Sequence, residues 1–325
     1  MLVHRATIVG AGIMGHGIAV VLAQGGCQVT MVDVSDEVLE TASVKIRAAL
    51  ATLVQHKLLD QRQAERVQSR IHGTTDLEAA THDSDFVVEA ATEDIQVKRS
   101  IFSRLDSLCP SRTILTSNTS SLPIAQMASA TQRPDRVLGT HFIMPAHVMP
   151  LVEIVRGEKT SDDTVQTTLR LMKESGKTPV VVNKDIPGFI HNRLQAALGR
   201  EACALIQAGV ASPQDIDTVV TRGFGLRYST TGPMEQRDLA GLNIHYAVAK
   251  HLYPLLDTST GPHQHYVQLV TEGHLGVKTG QGFYNWEGKD AEAILRDQEE
   301  RLIEVVKNAS RYWESHPKDP KGSEQ

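Results

Sequence analysis

Ile8-Val9-Gly10-Ala11-Gly12-Ile13-Met14-Gly15 carries an apolar, β-branched run straight into three spaced glycines and then into a helical pattern. Few folds accommodate that succession. Gly10 permits a tight turn, Gly12 lets a ligand approach the backbone, and Gly15 lets the helix pack close to the strand. The backbone of Ile13 and Met14 then lies at the helix N-terminus, where free N–H groups and the helix dipole favour a phosphate. Glycines at this spacing are weak evidence alone. Here the next apolar run, Val29–Val32, ends in an acid, Asp33. A carboxylate at that position accepts hydrogen bonds from ribose hydroxyls and repels a 2′-phosphate, which favours NAD over NADP. A flavin is the residual competitor for the same fingerprint.

The first half of the chain alternates short strand-like runs with helical patterns. Strands are expected at 6–9, 28–32, 70–74, 86–89, 113–116, 137–140, 151–155 and 179–183. Helices are expected at 14–24, 37–53, 61–69, 95–105 and 162–175. Buried strands joined by helices imply a mostly parallel sheet with helices on both faces. After Asp185-Ile186-Pro187-Gly188 strand-like runs vanish, and helical patterns follow at 189–208, 213–221, 243–256, 263–272 and 291–312. The expected fold class is therefore α/β: an N-terminal Rossmann-type sheet domain over 1–185, then an all-helical domain over 186–325. A Lys-, Pro-, Ser- and Glu-rich tail from about 316 reads as disordered.

A chain of 325 residues suits two such domains, and a formal charge of −5 gives no reason to expect nucleic acid as a partner. The three cysteines, Cys27, Cys109 and Cys203, show no metal-ligand spacing, so neither zinc nor disulfides are expected. No run is long enough to span a membrane, and a cytoplasmic location is the default.

Ligands of open α/β sheets bind beyond the carboxyl ends of the strands. Two strands deliver polar residues there. One leads into Ser117-Asn118-Thr119-Ser120-Ser121, and the other reaches His141. The chain returns as Leu151-Val152-Glu153-Ile154-Val155, placing one acid inside an apolar strand. A buried carboxylate is costly unless paired. A histidine held by a carboxylate is one way to take a hydroxyl proton and stabilise the resulting imidazolium. By spacing alone, His141 can equally be a structural histidine, and Glu153 a residue of a strand edge.

Gly10–Gly15, Val87–Ala90, Ser117–Leu122, His141-Phe142 with Leu151–Glu153, Asp185–Arg193 and Lys278–Tyr284 follow one another in an order that resembles the 3-hydroxyacyl-CoA dehydrogenases. The resemblance covers roughly residues 4–286. It implies a catalytic base at His141, its carboxylate partner at Glu153, and Ser120 and Asn192 as the groups holding the substrate oxygen. It also implies NAD contacts at Glu93, Lys98, Asn118 and Ser120, beside Gly10, Gly12, Ile13, Met14, Gly15 and Asp33. A homodimer built through the helical domain is implied too, and apolar Leu194, Leu198, Leu205 and Ile206 there agree with it.

The substrate is less constrained. Met144 stands where acyl-CoA-specific members usually have Asn. The segment 139–160 is similar to relatives that oxidise small free acids, such as gulonate (lens λ-crystallin), carnitine and pyridine-carboxylate dehydrogenases. A free carboxylate calls for a nearby cation, for which His147, His191, Arg193 and Arg227 are candidates. A CoA thioester calls for an open groove and basic residues such as Lys57. A crystallin-like protein without turnover is a third possibility. A lysine-dependent hydroxyacid dehydrogenase is a fourth, but the helix start at His191-Asn192-Arg193 lacks the lysine it needs.

Overall fold

The computed structural model describes residues 2–315. Eight strands form one sheet: β1 (Arg5–Val9), β2 (Gln28–Val32), β3 (Ile71–Thr74), β4 (Phe86–Glu89), β5 (Ile114–Ser117), β6 (Val137–Phe142), β7 (Leu151–Arg156) and β8 (Thr178–Val182). Their spatial order is β3-β2-β1-β4-β5-β6-β7-β8. All neighbouring pairs are parallel except β6 and β7. The chain reverses its winding at β1, and a switch point of that kind opens a crevice at the carboxyl edge.

Helices α1 (Gly15–Gln24), α2 (Asp36–Gln55), α3 (Gln61–Ser69), α4 (Leu77–Thr81), α5 (Ile95–Leu108), α6 (Ile124–Ala128) and α7 (Asp162–Glu174) cover this sheet. Helix α1 has apolar residues around most of its circumference, and Ile18 to Ala23 are all fully buried. Polar starts define the others. The Asp94 carboxylate caps α5 through the N–H groups of Gln96 and Val97, and Asp60 with Gln63 forms a capping box on α3. The core divides into two apolar layers, one around Ile8, Val88 and Ile154, the other around Val87, Phe102 and Leu115.

All eight expected strands form, and β6 runs two residues further than its apolar run suggests. Pairing with β7 draws His141 and Phe142 into the ladder, so His141 is a strand residue. The short α4 and α6 were not anticipated, because five residues show too little periodicity.

The chain divides into two compact units, Met1–Arg193 and Leu194 onward. Helix α8 (His191–Gln207) begins in the first. The second contains α9 (Pro213–Val219), α10 (Gly225–Tyr228), α11 (Pro233–Ala240), α12 (Leu242–Leu252), α13 (Gln264–Thr271) and α14 (Ala291–Ser315). The helix expected at 243–256 stops early because Pro254 lacks the N–H that would continue it. Trp313 Nε1 donates to the Ser229 carbonyl at 2.8 Å and ties α14 to the turn after α10. Large side chains of α11 and α12 stay in solvent, with Leu239 at 76 % exposure and Tyr246 at 70 %. Among the described residues no helix is long and apolar enough to cross a membrane. The tail expected from about 316 lies outside the described residues.

Candidate active site

The glycine loop forms for steric reasons the structure makes explicit. Gly10 has φ +104°, and a Cβ there would lie 2.7 Å from the Ala90 carbonyl oxygen. At Gly15 a Cβ would lie 1.9 Å from the Gly10 carbonyl oxygen, so β1 and α1 touch only because it is absent. A Cβ on Gly12 meets nothing within 4 Å. Its α-carbon faces the open groove, where a pyrophosphate needs close approach to backbone.

That groove, about 820 Å³ in volume, is lined by Gly10, Gly12, Val32, Asp33, Ala91 and Val97 among others. Asp33 accepts the N–H of Ala11 and of Val34, each at 2.7 Å, which fixes its carboxylate between the glycine loop and the end of β2. Apolar walls for an adenine, an acid for a ribose and bare backbone for phosphates make these residues a fit for NAD. Asp33→Ala is expected to weaken NAD binding and relax discrimination against NADP, measured as kcat/KM with each cofactor. Equal use of NADP by the unmodified protein would contradict this role.

Antiparallel pairing puts His141 of β6 directly opposite Glu153 of β7. Opposed residues on one sheet face have side chains within contact range. The His141 Nδ1 lies 2.7 Å from Glu153 Oε2, with both side chains almost fully buried. A carboxylate only accepts, so Nδ1 carries the proton and Nε2 keeps its lone pair. The second Glu153 oxygen, Oε1, accepts the backbone N–H of Ile190 and of His191, each at 2.9 Å. Burial works to raise the Glu153 carboxyl, but the His141 bond and these two N–H bonds outweigh it and hold it below the usual carboxylate range.

The other expected residues gather around the same edge. Asn192 Nδ2 donates to the Ser120 carbonyl at 3.2 Å, which brings the start of α8 to the loop after β5. Asn118 Oδ1 accepts the N–H of Phe142 at 2.9 Å, next to the base. Glu93 Oε1 accepts the Thr119 hydroxyl at 2.5 Å and the Ser120 N–H at 3.1 Å. Burial pushes the Glu93 carboxyl up; the Thr119 bond, the Lys98 charge and the Ser120 N–H together hold it below its ordinary range. Of the candidate cations, His147 packs its ring against α1, its Nδ1 about 3.5 Å from where a Gly17 Cβ would stand. Arg193 is exposed and reaches the Pro187 carbonyl at 3.4 Å. The His191 ring lies 6.4 Å from that of His141, centroid to centroid. Lys57 is exposed at the end of α2, and Arg227 belongs to the second unit.

Sequence reasoning missed several partners. Lys98, expected as an NAD contact, is 1 % exposed, with its Nζ 2.7 and 2.9 Å from the two oxygens of fully buried Glu89. The Ser117 hydroxyl also donates to Glu89, at 2.6 Å. Phe189, buried with φ +49°, turns the chain so that its ring sits 5.6 Å from the His141 ring. Lys177 donates to the Ala146 and Met149 carbonyls at 2.7 and 2.8 Å and tethers the loop between β6 and β7. Burial pushes its ammonium down to about 8. The charged residue inside the apolar run Phe86–Glu89 was the available signal for the Lys98 pair; the other contacts join segments far apart in sequence.

Residues 5–186 match the family model described as the NAD binding domain of 3-hydroxyacyl-CoA dehydrogenase, and residues 188–286 match its C-terminal domain. The chain is 33 % identical to the 5-formyl-3-hydroxy-2-methylpyridine 4-carboxylate 5-dehydrogenase of Mesorhizobium japonicum, over 94 % of this chain and 97 % of that one. It is 37 % identical to the human mitochondrial hydroxyacyl-coenzyme A dehydrogenase, covering 88 % and 92 % of the two chains. A solved structure of a 5-formyl-3-hydroxy-2-methylpyridine 4-carboxylic acid 5-dehydrogenase, described as an NAD+-dependent dismutase, superposes with TM-score 0.89 over 95 % of this chain and 99 % of that one, at 32 % identity. The family matches together span residues 5–286 and the human relative covers most of both chains, so this chain is a member of the NAD-dependent 3-hydroxyacyl-CoA dehydrogenase family.

Proposed function

We propose that this protein oxidises the 3-hydroxyl of a 3-hydroxyacyl-CoA to the 3-ketoacyl-CoA, reversibly, with NAD. The observation that carries this reading is the buried 2.7 Å contact of His141 with Glu153 at the carboxyl edge of an NAD-binding sheet. NAD held by Gly10, Gly12 and Asp33 would supply the hydride acceptor for the carbinol carbon. His141 Nε2 accepts the hydroxyl proton, and in reverse returns it to the developing alkoxide. Ser120 and Asn192 donate to that oxygen where charge develops. Glu153 holds the imidazole tautomer and offsets the charge it acquires. Glu93, braced by Lys98, holds the Ser120 loop and, with Asn118, the nicotinamide end of the site.

The test is consumption of NADH with acetoacetyl-CoA. Absence of turnover, with NADH bound, would refute the acyl-CoA assignment.

A second substrate reading, a small free hydroxy acid, is supported by exposed Met144 beside the base strand and by similarity along nearly the whole chain to a pyridine-carboxylate dehydrogenase.

The helical unit supports a homodimer. Leu194 and Leu198 on α8, with Leu239, Leu242, Ile244 and Tyr246 on α11 and α12, are all exposed. Apolar surface on that scale marks an interface, and a symmetric pair covers one patch with itself. Sedimentation at micromolar concentration is expected to show a dimer. Leu239→Glu/Tyr246→Glu is expected to shift it to monomer, and a monomeric unmodified protein would end the proposal.

A further inference from the structure

The geometry points to a second activity of the same site, the oxidation of small free 3-hydroxy acids, with His191 as the residue that receives their carboxylate. This rests on the dehydrogenase reading of His141 and Glu153 and names a substrate class for it.

Four cations were open candidates for this task, and the structure separates them. His147 is directed at α1 and packs near Gly17. Arg193 is exposed and leans on the Pro187 carbonyl, and Arg227 belongs to the other unit. His191 alone of the four contacts the base itself, ring edge against ring, with centroids 6.4 Å apart. Its position is not accidental, because its backbone N–H is fixed on the same Glu153 carboxylate that orients His141. The next residue, Asn192, is held to Ser120. His191 therefore stands beside the proton acceptor, one residue before a group assigned to the substrate oxygen.

The imidazole of His191 is half-buried and makes no side-chain hydrogen bond or ion pair among the described residues. A ring N–H is available to a ligand. An imidazole donates an N–H to a carboxylate in either protonation state, and hydrogen bonds to a charged partner are the stronger kind. The short separation of the two rings suits a substrate whose carboxylate lies two or three bonds from the carbinol carbon. Such a molecule places its hydroxyl on His141 and its carboxylate on His191. In a thioester the corresponding atom is a neutral carbonyl, which gains less from the same donor.

The backbone N–H that holds Glu153 survives any substitution at 191 except proline, so the base remains oriented in side-chain variants. Three proteins decide the matter: the unmodified chain, His191→Leu and His191→Arg. In each, acetoacetate is titrated into the protein–NADH complex, with quenching of bound NADH fluorescence giving Kd. Then kcat/KM is measured for acetoacetate and acetoacetyl-CoA. His191→Leu is expected to raise the acetoacetate Kd and lower its kcat/KM by about tenfold or more, the scale of one lost bond to a charged group. Acetoacetyl-CoA is expected to change by less than about threefold, and His191→Arg to retain acetoacetate binding. An unmodified protein that does not bind acetoacetate overturns the inference. So does a leucine variant that leaves acetoacetate untouched, or one that lowers both substrates equally, which is the mark of a structural residue. Failure of the unmodified protein on acetoacetyl-CoA alone removes the acyl-CoA assignment and leaves the His191 comparison standing.

Discussion

Replacing His141 with glutamine is expected to lower kcat by roughly two to four orders of magnitude, the usual contribution of a positioned general base, while NAD affinity changes little. The imidazole does not line the groove formed by Gly12 and Asp33, so cofactor binding and chemistry are expected to separate in this variant. Glu153→Gln is expected to follow the same direction for two reasons. The amide no longer offsets the imidazolium. Its NH2 group also only donates, so it faces N–H groups that the carboxylate now accepts from His141, Ile190 and His191. A His141→Gln protein with near-normal kcat would remove this histidine from the mechanism. The pH profile sharpens the point. Held below its ordinary range, Glu153 is depressed relative to an unfolded value of about 4.3. Its hydrogen-bonded carboxylate therefore contributes stability fully above that value and loses it as pH falls through the folded value. An activity decline that begins above about pH 5 is thus expected to reflect another group.

Lys98→Met is expected to cost about 3–5 kcal/mol of stability, because removing one member of a buried pair leaves the other charge uncompensated. Lys98 and Glu89 are 1 % and 0 % exposed at the side chain, so water cannot take over for the lost ammonium. For a unit of this size such a loss lowers Tm by roughly 10 °C. The double variant Glu89→Gln/Lys98→Met is expected to recover a substantial part, since no buried charge is then stranded. Thermal melts and urea titrations of the three proteins measure this directly. A single variant within about 1 kcal/mol of the unmodified chain would show that the pair is not energetically isolated from solvent. The same substitution frees Glu93, whose Oε2 lies 3.3 Å from Lys98, so the Ser120 loop is expected to lose order and KM for NAD to rise.

Fold and site were legible in the sequence to different depths. The glycine loop and Asp33 were legible because their constraints are local: a turn, a close strand–helix contact and an acid at a strand end occupy 24 residues, Gly10 to Asp33. The strands could be read because most are short apolar runs with clear punctuation; the central ones are buried on both faces, and only β3 and β8 at the sheet edges are largely exposed. Short helices such as α4 and α6 could not, since a five-residue helix has little more than one turn of periodicity. His141 and Glu153 were readable as residues but not as a pair without the family resemblance. Twelve positions separate them, and only the antiparallel register of β6 with β7 makes them face each other.

What the sequence by itself determined is the order of elements and the chemistry each strand carries to the sheet edge, because those follow from nearest-neighbour patterning along the chain. What only the tertiary structure decided is partnership. Glu153 serves both the base and the start of α8. Lys98 is buried on Glu89, and His191, among four candidate cations, is the one that reaches the base. Each of those outcomes depends on which distant segments meet. That is settled by the summed burial of the whole sheet and its helices, a quantity with no local signature in the chain.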